Sequence, residues 1–208
     1  MNIPRNALKA VSLAMANRDK RKYLNGMLIQ CSGRTVRLVA TDGCRLHMMD
    51  LPQEVPCPPL VEGVIIPRAL IEWALKNSKP GQSVQVTTDG AAVTIAAGGA
   101  SMSGQAVDGR YPDYDRILPR GIPTGEVAQF QPQYVSDAYE AVKELAGKGE
   151  PLSPTLRHNG AYGPATVAYG PATVAYERFL AVIMPLRDTM GHEPDARLFA
   201  PVADPQPE

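Results

Sequence analysis

No apolar run in this 208-residue chain reaches the roughly 18 residues that a membrane-crossing helix needs, so a spanning anchor is not expected. The stretch "ALKAVSLAMA" near the start is preceded by Arg5 and interrupted by Lys9, which makes it a poor secretory signal. Cysteine is scarce. Cys31, Cys44 and Cys57 cannot all pair within one chain, and a reducing cytoplasm is the expected location. A Gly-rich phosphate loop and a G-x-S-x-G elbow are both missing, which removes the commonest nucleotide-binding and hydrolase signatures. Cys44 and His47 have Cys-x-x-His spacing, but Cys31, Cys57, His158 and His192 supply no second close pair, so neither a metal nor a cofactor is expected. Asp42, in a "TDG" turn, and Asp50 read as turn and strand carboxylates before they read as catalytic acids. A small metal-dependent enzyme is the distant alternative to a noncatalytic protein.

Net charge is also missing, at +0, although it is unevenly placed. Residues 1–120 carry 15 Lys and Arg against 10 Asp and Glu, and residues 121–208 carry 6 against 11. A basic half and an acidic half suit nucleic-acid contact by one of them, or complementary faces between domains or chains. With 44% hydrophobic residues the chain can bury a substantial core.

What is present is a repeat. "NIPRNALKAVSLAMAN" from Asn2, "IIPRALIEWALKN" from Ile65 and "FQPQYVSDAYEAVKEL" from Phe130 each set a proline between an extended lead-in and a helical pattern. Pro4, Pro67 and Pro132 stand 63 and 65 residues apart. Proline suits a helix start because its fixed φ fits and its missing N–H has no intrahelical partner there. Short strand patterns follow each helix. "YLNGMLIQ", "TVRLVATD" and "CRLHMMDL" come after the first, and "SVQVTTD", "AAVTIAA" and "SMSGQAV" after the second, with Asp89-Gly90 and Gly98-Gly99 at turns. The unit is therefore β-α-β-β-β with an antiparallel meander, an α+β fold. One such unit cannot close a core alone, so units should pair.

Helix periodicity predicts which faces are buried. Leu70, Ile71, Ala74 and Leu75 share one side of the second helix, while Arg68, Glu72 and Lys76 share another. In the third, Val135, Ala138, Tyr139, Val142 and Leu145 are expected inside, and Asp137, Glu140, Lys143 and Glu144 outside. "AYGPATV" occurs twice in tandem, at 161–167 and 168–174. An odd shift of seven exchanges faces, and Pro164 and Pro171 discourage a central strand, so one copy should pair and the other lie in a hairpin or at an edge.

"YLNGMLIQ", "LVATDGCRL", "VIIPRALIE", "DGRYPDYDRILP" and "AVIMPLR", in this order, resemble the bacterial DNA polymerase III beta subunit, the sliding clamp family. The resemblance covers about residues 1–187 and implies a DNA-clamp-like fold of repeated β-α-β-β-β units with helices on one face of antiparallel sheets. Residues 1–120 resemble the whole middle domain, and 121–187 a third unit corresponding to the second half of the last domain. Residues 188–208 form a Pro-rich tail expected to be disordered. The family's first domain and one further half-domain have no counterpart here, and Cys44 replaces a common histidine.

The resemblance further implies a replication or repair accessory protein that binds polymerase and other partner peptides, contacts or encircles double-stranded DNA, and forms a homo-oligomer. The alternative is a degenerate clamp fragment acting as a decoy or modulator. Carried over by position, the peptide pocket comprises Leu24, Thr41, Gly43, Arg45 and Leu46 from the first unit, Pro112, Arg116 and Ile117 from the following segment, and Val182, Met184, Pro185, Leu186 and Arg187 from the third. Candidate DNA contacts are Arg5, Lys9, Arg68 and Lys76 on the helices, with Arg18, Lys20, Arg21 and Lys22 in "NRDKRK". The tail's "DARLFAP" resembles a clamp-binding peptide, with Leu198 and Phe199 as its anchors. Counting units leaves the third without a partner, which predicts a twofold dimer through Val135, Tyr139 and "FLAVIMPLR".

Overall fold

A computed structural model describes residues 1–55, 60–118, 129–146, 154–160, 163–169 and 179–186. The first unit runs β1 (Asn2–Pro4), α1 (Arg5–Ser12), β2 (Gly26–Ser32), β3 (Thr35–Thr41) and β4 (Arg45–Pro52). The second runs β5 (Leu60–Pro67), α2 (Arg68–Asn77), β6 (Ser83–Asp89), β7 (Ala92–Ala97) and β8 (Ala100–Gln105). The third supplies α3 (Pro132–Leu145), β9 (Thr155–Asn159), β10 (Gly163–Tyr169) and β11 (Phe179–Ile183). Pro4 and Pro67 cap their helices at φ −56° and −57°, and Pro132 is the first residue of α3.

The first two units exchange their lead strands. β1 pairs with β6 of the second unit, and β5 with β2 of the first, both antiparallel. The first helical N–H follows the same exchange, Arg5 N donating to Gln82 O at 2.9 Å and Arg68 N to Asn25 O at 3.0 Å. Arginine side chains complete the reciprocity. Arg5 donates to Ser78 O and Leu75 O at the end of α2, and Arg68 to Ala16 O and Met15 O just beyond α1. A cation on these terminal carbonyls satisfies acceptors that the helix cannot and opposes the negative end of its dipole. One core results, with Ile3, Leu8 and Val11 against Ile66, Ile71, Val86 and Ile95, all fully buried.

The third unit is not left unpartnered, as the count of units led one to expect. β11 lies between β10 and β4, so the sheet runs β5-β2-β3-β4-β11-β10-β9. The β4–β11 pairing extends from Phe179↔Met49 to Ile183↔Arg45. Both edges of β11 are thus occupied within the chain, which rules out the predicted dimer contact through that strand. A second core joins Ala10 of α1 to Ala138, Ala141 and Val142 of α3 and to Val167, Phe179, Ala181 and Ile183.

Tyr139 also departs from expectation, being 41% exposed. Ala138 and Ala141 face α1 instead, and no second unit covers the Tyr139 side of α3 among the described residues. Asp137, expected outside, is drawn inward by Arg45. Pro164 stands in a central strand, but the β9–β10 register shifts between Gly163 and Thr166, and such an irregularity accommodates a missing donor. β10 comprises most of the first "AYGPATV" copy and the start of the second; Pro171 lies outside the described residues. Cys44 is a free, exposed thiol, whereas buried Cys31 is disulfide-bonded.

Candidate functional site

The seam between the first and third units begins at the β3–β4 turn. Thr41 Oγ1 donates to Arg45 O at 2.6 Å and accepts from Gly43 N at 3.0 Å. The Asp42 carboxylate accepts from the backbone N–H groups of Cys44 and Arg45, at 2.9 and 3.1 Å, and from Arg45 Nε at 3.0 Å. Gly43 adopts φ +95°, and a Cβ there would sit 3.2 Å from the Arg21 guanidinium. The turn thus needs aspartate as a local acceptor and glycine for its backbone.

Arg45 ties this turn to α3. It forms an ion pair with Asp137 and lies 4.7 Å from the centre of the Tyr134 ring, a cation–π distance. Met184 N donates to Cys44 O at 2.9 Å, fixing the end of β11 against the same turn.

On the sheet face away from the helices, Leu46 and Val182 are cross-strand partners and fully buried. They share a cluster with Leu28, Val39, Ile65, Tyr111 and Tyr114, bordered by partly buried Tyr23, Met48, Ile117, Leu118 and Leu180. Tyr111 Oη accepts from Thr41 N at 3.1 Å and donates to Val39 O at 3.4 Å, and burial raises its phenol pKa. Tyr114 donates to Gln30 Oε1 at 2.5 Å. Beyond these tyrosines an open cleft of about 710 Å³ is lined by Gln30, Glu62, Gly63, Arg110 and Pro112, among others.

The predicted pocket residues fall into three groups. Leu46, Val182 and Ile117 meet in the apolar cluster, and Thr41, Gly43, Arg45 and Met184 frame the turn beside it. Pro185 is half-buried and Leu186 is 47% exposed, with Leu186 N held by Gln129 O at 2.8 Å. Leu24 is buried in a 3-10 turn at Lys22–Leu24 and lies outside the cluster that its neighbour Tyr23 borders. Pro112 and Arg116 are exposed, and Arg116 pairs with Asp113 at 3.0 Å. Arg187, Leu198 and Phe199 lie outside the described residues.

Sequence reasoning missed the aromatic lining and the Asp137 anchor. Period-two alternation from Leu46 and Val182 reaches Met48 and Leu180, so that part was accessible. The pairing of Asp137 with Arg45 had no local signal.

The basic candidates are less uniform than their charge suggests. Arg5 and Arg68 hold helix ends, Lys9 pairs with Glu144, and Arg21 pairs with Asp19 at 2.8 Å, which holds that carboxyl down at about 2. Arg18, Lys20, Lys22 and Lys76 are exposed. His47 is buried with Nδ1 2.8 Å from Ala10 O and its ring edge-on to Phe179, while Cys44 is exposed, so the two do not form one ligand pair. Among the described residues, no group of three His, Cys, Asp or Glu could hold a metal ion. No helix among them is long and apolar enough to cross a membrane.

Residues 2–113 fit the family described as DNA polymerase III beta subunit, central domain. The beta sliding clamp of Pseudomonas aeruginosa is 35% identical over 117 residues, which is 56% of this chain and 32% of that protein. The Escherichia coli K12 beta sliding clamp is 35% identical over 118 residues, 54% of this chain and 31% of that protein. The matched segment therefore spans about a third of these curated relatives. A crystal structure of the P. aeruginosa DnaN sliding clamp bound to griselimycin superposes with TM-score 0.69 at 22% identity, covering 90% of this chain and 65% of that one. With its central-domain match extending over more than half its length, the chain belongs to the DNA polymerase III beta subunit family.

Proposed function

We propose that the chain is a noncatalytic, clamp-like accessory protein of cytoplasmic DNA replication or repair, which holds partner peptides, including those of a DNA polymerase, at the seam between its first and third units. The observation that carries this reading is the β4–β11 junction, which aligns Leu46 with Val182 beside Met184 and the exposed Leu186. A short peptide with a Leu-Phe end suits such a surface. Each apolar side chain buried there contributes roughly 1.5–3 kcal/mol, less the cost of ordering the peptide, which implies micromolar affinity. Exposed Arg18, Lys20, Lys22 and Lys76 would add salt-sensitive, sequence-independent attraction to double-stranded DNA. Assembly of several copies belongs to the same reading.

The test is titration of a fluorescent peptide ending in Leu-Phe. Saturable micromolar binding is expected, weakened about tenfold by Met184→Ala. That substitution is preferred to Leu46→Ala, because Leu46 is fully buried and its loss would damage the sheet. Absence of binding at about 300 micromolar peptide, far above the expected range, would remove the reading.

A further inference from the structure

The chain leaves the described fold at the seam itself. Met184 N donates to Cys44 O at 2.9 Å, Pro185 is half-buried, and Leu186, 47% exposed, is the last described residue. Leu46 stands two residues on from Cys44, about 7 Å along the strand direction, and faces Val182 across the β4–β11 pairing. Residues 187–208 therefore set out from the rim of the apolar seam. We propose that this tail is a ligand of its own chain, folding back to seat Leu198 and Phe199 on the seam so that partner peptides must displace it. This regulation presupposes the peptide-binding reading of the seam.

Three observations single out this occupant. The first is composition. The bulky apolar residues of 187–208 are Met190, Leu198, Phe199 and Val202, and only Leu198 and Phe199 are adjacent. Pro194 and Pro201 bracket the pair and restrict the unbound chain, which lowers the entropy lost when the pair is held. Opposite it, partly buried Met48, Ile117 and Leu180 surround fully buried Leu46 and Val182.

The second is reach. Leu198 follows Leu186 by twelve residues, a length with a root-mean-square span of about 20 Å and a limit of about 40 Å. That is ample for a return to Leu46. A tether matched to its target in this way gives an effective concentration in the millimolar range, so a segment that binds at only about 100 micromolar in isolation still fills the site most of the time.

The third is charge. Residues 187–208 carry Asp188, Glu193, Asp195, Asp204 and Glu208 against Arg187 and Arg197, whereas residues 1–120 hold the excess of Lys and Arg. Lys20 and Lys22 are exposed next to Tyr23, which borders the apolar cluster. An acidic segment is attracted to that side of the seam.

Full-length variants test this with the fluorescent Leu-Phe peptide. Leu198→Ala combined with Phe199→Ala lies outside the described fold and should tighten peptide binding about tenfold, the ratio of a millimolar tether to a segment of about 100 micromolar affinity. Met190→Ala, which removes a bulky apolar residue outside the pair, should leave affinity within about twofold of the original. A synthetic peptide of residues 192–203 should compete for the double variant, and should fail to compete once its own Leu198 and Phe199 are alanine. Calorimetric titrations at about 10 and about 100 micromolar protein should give the same tenfold difference, because docking within one chain does not depend on concentration. A difference confined to the higher concentration would assign the tail to a neighbouring chain and overturn docking in cis. Equal, saturable binding by the full chain and the double variant overturns the proposal and leaves the peptide seam standing, whereas binding by neither overturns both.

Discussion

The first two units and the third use the same helix positions to different ends. Seven residues after their prolines, Val11 and Ala74 are fully buried, whereas Tyr139 at that position of α3 is 41% exposed. One residue after them, Arg5 and Arg68 clasp each other's helix ends, whereas the third unit has Gln133. The first two units are thus closed on each other through strand exchange, arginine locks and a common core. The third is held sideways, through one strand junction and the α1–α3 contact. A supersecondary unit that cannot cover both of its apolar sides takes whatever cover the chain offers, and here β4 and α1 offer it.

The largest expected effect breaks that sideways attachment. Phe179 is buried at 1% exposure, packs edge-on against His47 and begins the β4–β11 pairing. Phe179→Ala should cost about 3–5 kcal/mol. Hydrogen exchange should then show β9–β11 amides losing protection while β2, β3, β6 and β7 keep theirs. Simultaneous loss in all of them would mean that the three units form one cooperative body and that the contrast drawn above has no energetic content.

The same attachment carries a pH dependence. Burial lowers the His47 pKa from 6.5 to about 4, opposed by its contact with Ala10 O and reinforced by nearby Arg45; Asp137 and Asp42 act in the raising direction. On the helix side, Lys9 of α1 faces Glu144 of α3. The folded protein thus prefers neutral imidazole, and the unfolded chain binds the extra proton first. This contribution to stability is complete above pH 6.5, falls as pH drops from 6.5 to 4, and amounts to about 3 kcal/mol at most. Denaturant midpoints followed at pH 7 and pH 4.5 should show the third unit weakening more than the first two. His47→Gln should flatten the difference, and an undiminished difference would assign it to other groups.

Much of this was legible locally. The three prolines and the alternating strands pointed to the β-α-β-β-β unit, because helix starts, turns and period-two burial are encoded within a few residues, and the clamp-like fold followed from the resemblance of five segments to the sliding clamp family. The partner of the third unit was not legible. That pairing joins Arg45–Met49 to Phe179–Ile183 across 130 residues or more, and neither strand names its partner when read alone. The candidate site divides in the same way. Turn residues Thr41, Gly43 and Arg45 could be read from their motif, while Tyr134, Asp137 and the Tyr111–Tyr114 lining depend on contacts that only the folded seam creates. Basic residues misled most, since Arg5 and Arg68 look like a solvent-facing stripe yet reach backbone carbonyls of the neighbouring unit.

The smallest expected effect isolates the contrast at a single helix position. Val11→Ala removes two methyl groups from a fully buried site shared by both sheets, worth roughly 1.5–3 kcal/mol once the cavity is included. Tyr139→Ala removes a far larger side chain from the same position of α3, where water already reaches it, and should change stability by no more than about 0.5 kcal/mol. Alanine also favours the helix slightly over tyrosine, which pushes the change toward zero or below. Urea denaturation of both variants at one protein concentration gives the comparison directly. A Tyr139→Ala cost equal to that of Val11→Ala would show that the exposed side of α3 is covered in solution, and the third unit would then be closed like the other two.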